Sequence, residues 1–138
     1  MYTLSVKSDF SAAHNLRGYK GRCESLHGHN WKAEAVISAK KLDAQGLVID
    51  FHLIKKELKG ILEGLDHKYL NELSYFKKHN PTSENLAKYI YEKLDDRLRL
   101  SVQQVRLNGA VGQAGIADSI LQEVTVWESD NCSATYSK

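Results

Sequence analysis

Two stretches near the N-terminus alternate apolar and polar residues, and this alternation restricts the fold more than any other feature of the chain. Between residues 2 and 12, Tyr2, Leu4, Val6, Phe10 and Ala12 fall on every second position with only Ser8 interrupting. Between residues 30 and 39, Trp31, Ala33, Ala35 and Ile37 repeat the pattern. Successive side chains of a strand point to opposite faces, so each stretch predicts a strand with one buried face, and an antiparallel pair is the simplest arrangement. A sheet apolar on one side must be covered. Two later segments supply the cover. Asp50 can cap a helix whose stripe of Ile54, Leu58, Ile61, Leu62 and Leu65 ends near Gly64, and Pro81-Thr82-Ser83 opens a second with Leu86, Ala87, Ile90, Tyr91, Leu94 and Leu98 on one side. Residues 121–127, in which Val124 and Val126 alternate with Thr125 and Trp127, and residues 134–137 predict a last strand pair. The order ββααββ implies an α+β fold, an antiparallel four-stranded sheet with two helices on one face.

A chain of 138 residues fits one compact domain, and no repeat, low-complexity tract or linker divides it. Residues 99–119, with Gly109, Gly112 and Gly115, follow neither period and are read as an insertion within that domain. The formal net charge is only +2 and the basic residues are scattered, which gives no nucleic-acid or membrane footprint. Two cysteines, Cys23 and Cys132, in a chain with no secretory signal and no apolar run long enough to span a bilayer, argue against a disulfide framework and predict a cytoplasmic protein.

The six histidines are unevenly distributed, with His14, His27 and His29 in the first quarter of the chain. In an extended segment His27 and His29 project to one side, and Gly28 keeps the backbone between them uncrowded. His14, at the end of the first strand, joins them if the two strands pair across the intervening loop. Three neutral imidazoles at about 2.0 to 2.1 Å leave a tetrahedral zinc one open position, the arrangement of catalytic sites. Cys23, four residues before His27, is either a fourth ligand that closes the site or a separate reactive thiol. Asp66-His67 follows the first helix, and adjacent residues meet only where the chain has left helical geometry. A carboxylate bonded to an imidazole fixes its tautomer and raises its basicity, which suits proton transfer near neutrality.

These pieces, in this order, resemble the family of 6-pyruvoyltetrahydropterin and 6-carboxytetrahydropterin synthases. The likeness runs through Phe10-Ser11-Ala12-Ala13-His14, Cys23-x-x-x-His27-Gly28-His29, Val48-Ile49-Asp50-Phe51, Leu65-Asp66-His67-x-x-Leu70-Asn71, Asn80-Pro81-Thr82-Ser83-Glu84-Asn85-Leu86 and Val126-Trp127-Glu128-Ser129. It implies a tunnelling fold (T-fold) whose subunits form trimers that stack into a homohexamer, with active sites at subunit interfaces. It implies zinc on His14, His27 and His29, proton transfer by Cys23, Asp66 and His67, and a pterin anchored by Glu128. Thr82 and Ser83 would help hold the ring or cap the second helix, and Lys20 and Arg22 are candidate triphosphate contacts or solvated surface charges.

The substrate so implied is 7,8-dihydroneopterin triphosphate, and the product the resemblance favours is 6-carboxy-5,6,7,8-tetrahydropterin, formed with release of acetaldehyde and triphosphate in queuosine biosynthesis. Glu24 also creates Glu-x-x-His-Gly-His, the pattern of members that cleave the side chain to 6-hydroxymethyl-7,8-dihydropterin for folate synthesis. A 6-pyruvoyltetrahydropterin synthase-like activity and a non-catalytic pterin-binding module are the remaining alternatives. The joint presence of Cys23, Asp66 and His67 speaks against the last, because a binding module needs none of them.

Overall fold

In the computed structural model, which describes residues 1–108 and 120–138, the alternating stretches form β1 (Tyr2–His14) and β2 (His27–Ala39). They pair antiparallel from Tyr2 opposite Ala39 to His14 opposite His27. Both strands run beyond the alternating stretch at the loop end, and that extra length puts His14 directly across from His27. α1 (Phe51–Glu63) starts where the Asp50 carboxylate accepts the His52 N–H at 2.8 Å. α3 (Ser83–Leu107) starts after Thr82, whose hydroxyl accepts the Asn85 N–H at 3.2 Å. Every residue of the two anticipated stripes is buried, and they form one core with Val6, Phe10, Trp31, Ala33, Ala35 and Ile37 of the sheet.

Three features depart from the sequence expectation. The sheet has five strands rather than four, in the order β3-β1-β2-β4-β5, because the two-residue β3 (Lys68–Tyr69) adds in parallel to Ala12 and Ala13. A third, short helix, α2 (Ser74–Lys78), lies between α1 and α3. Residues 99–107 of the expected insertion continue α3, with Leu98 buried and Val102 packed against the core; residues 109–119 lie outside the described residues. Among the described residues no helix is long and apolar enough to cross a membrane.

β4 (Ile120–Ser129) pairs with β2 and with β5 (Cys132–Ser137). Its register slips once against β2, where Ile37 faces Leu121 and Val36 faces Glu123, so Gln122 is an extra residue. A bulge of this kind changes which side later residues face. Leu121, Val124 and Val126 therefore all reach the core despite unequal parity. A second slip, between Trp127 and Ser129 against β5, falls at Glu128.

The loop leaving β1 is pinned by side chains that imitate strand partners. Asn71 accepts the Asn15 N–H at 3.0 Å and donates to the Asn15 carbonyl at 2.8 Å, while Asn80 makes the same pair of bonds with Arg17 at 3.0 and 2.8 Å. Asn71 is buried. Losing it strands two backbone groups, each worth about 1–3 kcal/mol when left unsatisfied in the interior. Asn71→Leu is expected to lower the thermal midpoint and to destabilise the fold by about 2–6 kcal/mol, the sum for the two groups, read from denaturant unfolding of the two proteins side by side.

Candidate metal centre and the Asp66–His67 pair

His14, His27 and His29 stand together at the loop end of the β1–β2 ladder, on the face covered by the helices. Their ring centroids are 4.6 to 5.2 Å apart, and Trp31, fully buried, meets the rings of His14 and His29 edge-on at 4.9 and 5.2 Å. The indole N–H is itself held by the Ala12 carbonyl at 3.2 Å, so the floor beneath the imidazoles is fixed.

Two carbonyl groups decide which nitrogens are available. His14 Nδ1 donates to the Pro81 carbonyl at 2.7 Å, and His27 Nδ1 donates to the Ser25 carbonyl at 2.7 Å. A carbonyl only accepts, so both rings carry their proton on Nδ1 and turn Nε2 inward. The two Nε2 atoms are 3.0 Å apart. Unless one ring takes a second proton, two lone pairs face each other there, and a cation between them removes the conflict. Burial holds the His14 imidazole below the ordinary histidine value, an effect the Pro81 bond opposes and His27 reinforces. Burial does the same to His29, with Glu128 opposing. Both effects favour the neutral rings that a metal requires.

Glu128 completes a cluster of four. One donor atom from each of His14, His27, His29 and Glu128 lies within 4.8 Å of the others, and Ser83 donates to the second carboxylate oxygen at 3.3 Å. Among the described residues this is the one histidine, cysteine and carboxylate cluster that could hold a metal ion. The donor set fits a divalent ion of zinc type: three imidazoles, two of them preset to offer Nε2, and one carboxylate.

Cys23 is not among those donors. It sits half-buried in a 3₁₀ turn, Arg22–Glu24, whose chain is tied to the segment just after β1 by a 2.8 Å bond from Leu16 N to the Cys23 carbonyl. Glu24 shares the turn and is exposed, as are Lys20 and Arg22.

The Asp66–His67 pair forms on the opposite side of the sheet. Asp66 Oδ1 accepts the Ser11 N–H at 2.8 Å, His67 N donates to the Ser11 carbonyl, and Asp66 Oδ2 lies 2.9 Å from His67 Nδ1. The chain leaves helical geometry at this point, since His67 takes the left-handed φ of 55°. The Ser11 N–H, and then His67, hold the Asp66 carboxyl below its usual range, so it stays ionised and keeps the imidazole proton on Nδ1. The pair lines a cleft of about 720 Å³ with Lys7, Asp9, Asn30 and Lys32 of the uncovered face. His67 is 83% exposed, so among the described residues its Nε2 faces open space.

Sequence reasoning missed the residues that orient the histidines: Pro81 and Ser25 act through their carbonyls, which leave no trace in side-chain chemistry. Asn71 and Asn80 stood inside quoted motifs without a role, and paired asparagines flanking a histidine motif were the available signal.

Residues 3–138 match the 6-pyruvoyl tetrahydropterin synthase family. The chain belongs to that family. It is 32% identical over 128 residues to the 6-carboxy-5,6,7,8-tetrahydropterin synthase of Rickettsia bellii, across 78% of this chain and 93% of that protein. It is 33% identical over 101 residues to the protein of the same name from Synechocystis, across 70% and 77% of the two chains. The solved 6-pyruvoyl tetrahydropterin synthase of Caenorhabditis elegans superposes with a TM-score of 0.78 at 28% identity, covering 99% of this family member and 95% of the worm chain. The architecture described above is thus a tunnelling fold.

The lowered values of His14 and His29 set a pH dependence. The unfolded chain takes up protons near the ordinary histidine value of about 6.5, whereas these rings in the fold take them up only at lower pH. Stability is therefore present above that value and is lost as pH falls through the folded values. The thermal midpoint of the metal-free protein should fall between about pH 7 and about pH 5, and the fall should be shallower in His14→Asn.

Proposed function

We propose that this protein is a zinc-dependent lyase that converts 7,8-dihydroneopterin triphosphate and one water into 6-carboxy-5,6,7,8-tetrahydropterin, acetaldehyde and triphosphate, as queuosine biosynthesis requires. The observation that carries the proposal is the convergence of three imidazole Nε2 atoms, two of them held in the ligating tautomer by carbonyls. The names of the Rickettsia and Synechocystis relatives support the choice of product.

His14, His27 and His29 would hold the ion, and once bound it supplies Lewis acidity that polarises the side-chain hydroxyls and acidifies the neighbouring C–H. The rest is work for the chain itself. Cys23, as thiolate, takes the carbon-bound proton. His67, with Nδ1 engaged by Asp66, returns or relays a proton through Nε2. Glu128 accepts parallel hydrogen bonds from the pterin ring N–H and exocyclic amine, with Ser83 steadying the carboxylate. Thr82 serves the site indirectly, as the cap of α3. A second reading has one observation in its favour: Glu24 lies in the same turn as Cys23, exposed and able to act on the same substrate carbons, which suits cleavage to 6-hydroxymethyl-7,8-dihydropterin.

The assembly we propose is a homohexamer, a dimer of trimers. β3 covers β1 only at Ala12 and Ala13, which leaves most of that long edge without a strand partner among the described residues, and β5 forms the other edge. Open edges of this length favour pairing between chains. The imidazoles face the helices while Asp66 and His67 face the other way, so the pair serves the metal centre of a neighbouring copy.

Two experiments test these readings. Mass spectrometry of products from zinc-loaded protein and 7,8-dihydroneopterin triphosphate should give the carboxy-pterin; Cys23→Ala should abolish turnover with zinc content unchanged, and loss of zinc would make Cys23 a ligand instead. Co-expression of Cys23→Ala with His67→Ala, each inactive alone, should restore roughly a quarter of wild-type turnover through hybrid interfaces that pair the two intact residues. No recovery would put both residues in one chain's site.

A further inference from the structure

Glu128 stands too close to the imidazoles to be a pterin anchor alone. We propose that in the substrate-free protein its carboxylate occupies the fourth position of the metal held by His14, His27 and His29, and that a docking pterin draws it away and opens that position. This inference rests on the metal and pterin reading given above.

The spacing of the donors is the first argument. Four ligands at about 2.0 to 2.1 Å from a tetrahedral ion stand roughly 3.3 to 3.4 Å from one another. His29 Nε2 is 3.3 Å from Glu128 Oε1, and His14 Nε2 is 3.0 Å from His27 Nε2. All four donor atoms lie within 4.8 Å of one another. The second argument is the character of the His29–Glu128 contact. His29 Nε2 is buried and makes no hydrogen bond, although the carboxylate oxygen is within ion-pair distance. A hydrogen-bonded pair would be shorter and better aligned. Two atoms side by side around a common centre look as these do.

The backbone supplies the third argument. Glu128 falls at a register slip of β4 against β5, and bulges beside functional sites re-aim side chains. Its second oxygen is held by Ser83 at the start of α3, which leaves Oε1 turned toward the imidazoles. A carboxylate is also the one donor of the four that a pterin can compete for, since the ring N–H and amine offer it two charge-assisted hydrogen bonds in exchange. The exchange makes access to the ion conditional on the ring. Water or a hydroxylated molecule without a pterin meets a closed shell.

Coupling of this kind is reciprocal. If pterin binding removes a ligand, the metal must weaken pterin binding by the same factor.

The full chain is stripped of metal and titrated with zinc against a chelator, as wild type, Glu128→Gln and Glu128→Ala. Both variants should bind zinc roughly 10–100-fold more weakly, and the isosteric Gln variant decides if the Ala variant does not fold. Pterin without a side chain should bind metal-free wild type more tightly than zinc-loaded wild type. Added to cobalt-loaded wild type, it should change the visible absorption, which reports coordination, and leave the spectrum of Glu128→Gln unaltered. Zinc affinity and cobalt spectrum unchanged in both variants, with pterin affinity reduced, would overturn the fourth-ligand role and leave the proposed lyase standing. A wild-type chain that takes up no zinc would overturn both.

Discussion

The bonds from His14 Nδ1 to the Pro81 carbonyl and from His27 Nδ1 to the Ser25 carbonyl are the constraint on which the centre depends. They choose the tautomer, aim both Nε2 atoms at one point and create a local repulsion that a cation relieves. Many metal-bound histidines are oriented by a carboxylate that bonds the other ring nitrogen. Here backbone oxygens do that work, and the acidic residues are left for other tasks: Asp66 for its imidazole, Glu128 for the open side of the cluster. The asparagine pairs around residues 15 and 17 belong to the same device, since they fix the chain that joins His14 to the segment carrying Pro81.

The sheet divides the chemistry between its faces. The helix-covered side gathers the donors over Trp31, where burial keeps imidazoles neutral. The open side displays Asp66 and His67, whose unusual backbone conformation is held in place by bonds on both sides of Ser11 and by the short β3 beside it. A left-handed φ at a residue with a side chain costs energy, and its persistence beside a bonded carboxylate fits a position kept for its geometry.

Much of the fold could be read from periodicity, because burial on one face imposes a period that the sequence must show. The two long strands, Asp50 as a cap and all members of both helical stripes are of this kind. The fifth strand was not legible, since two residues carry no period, and its parallel pairing is fixed by contacts of Asp66 and His67 with Ser11. The continuation of α3 past residue 98 was hidden because its later turns expose Leu100 and Leu107 and so blur the stripe. At the site, the three histidines were legible from their spacing once a strand pair was assumed. Their tautomers were not, because those depend on carbonyl oxygens that every residue possesses. The closeness of Glu128 to His29 was hidden for a related reason: it follows from how β4 is registered against β2, unbroken from Glu123 to Trp127, and neither a register nor its slips leave a compositional mark.

Those slips bear on how sequences of this family are compared. The orientation of Glu128 depends on the number of residues between the core of β4 and the carboxylate, so counting matters as much as identity. Loss of Gln122 alone would leave Leu121, Val124 and Val126 on the core face, whereas loss of one residue between Glu123 and Trp127 would exchange the destinations of the side chains beyond it. An alignment gap of a single column at that point is therefore a chemical event: it decides whether an acid or an indole looks toward the three histidines.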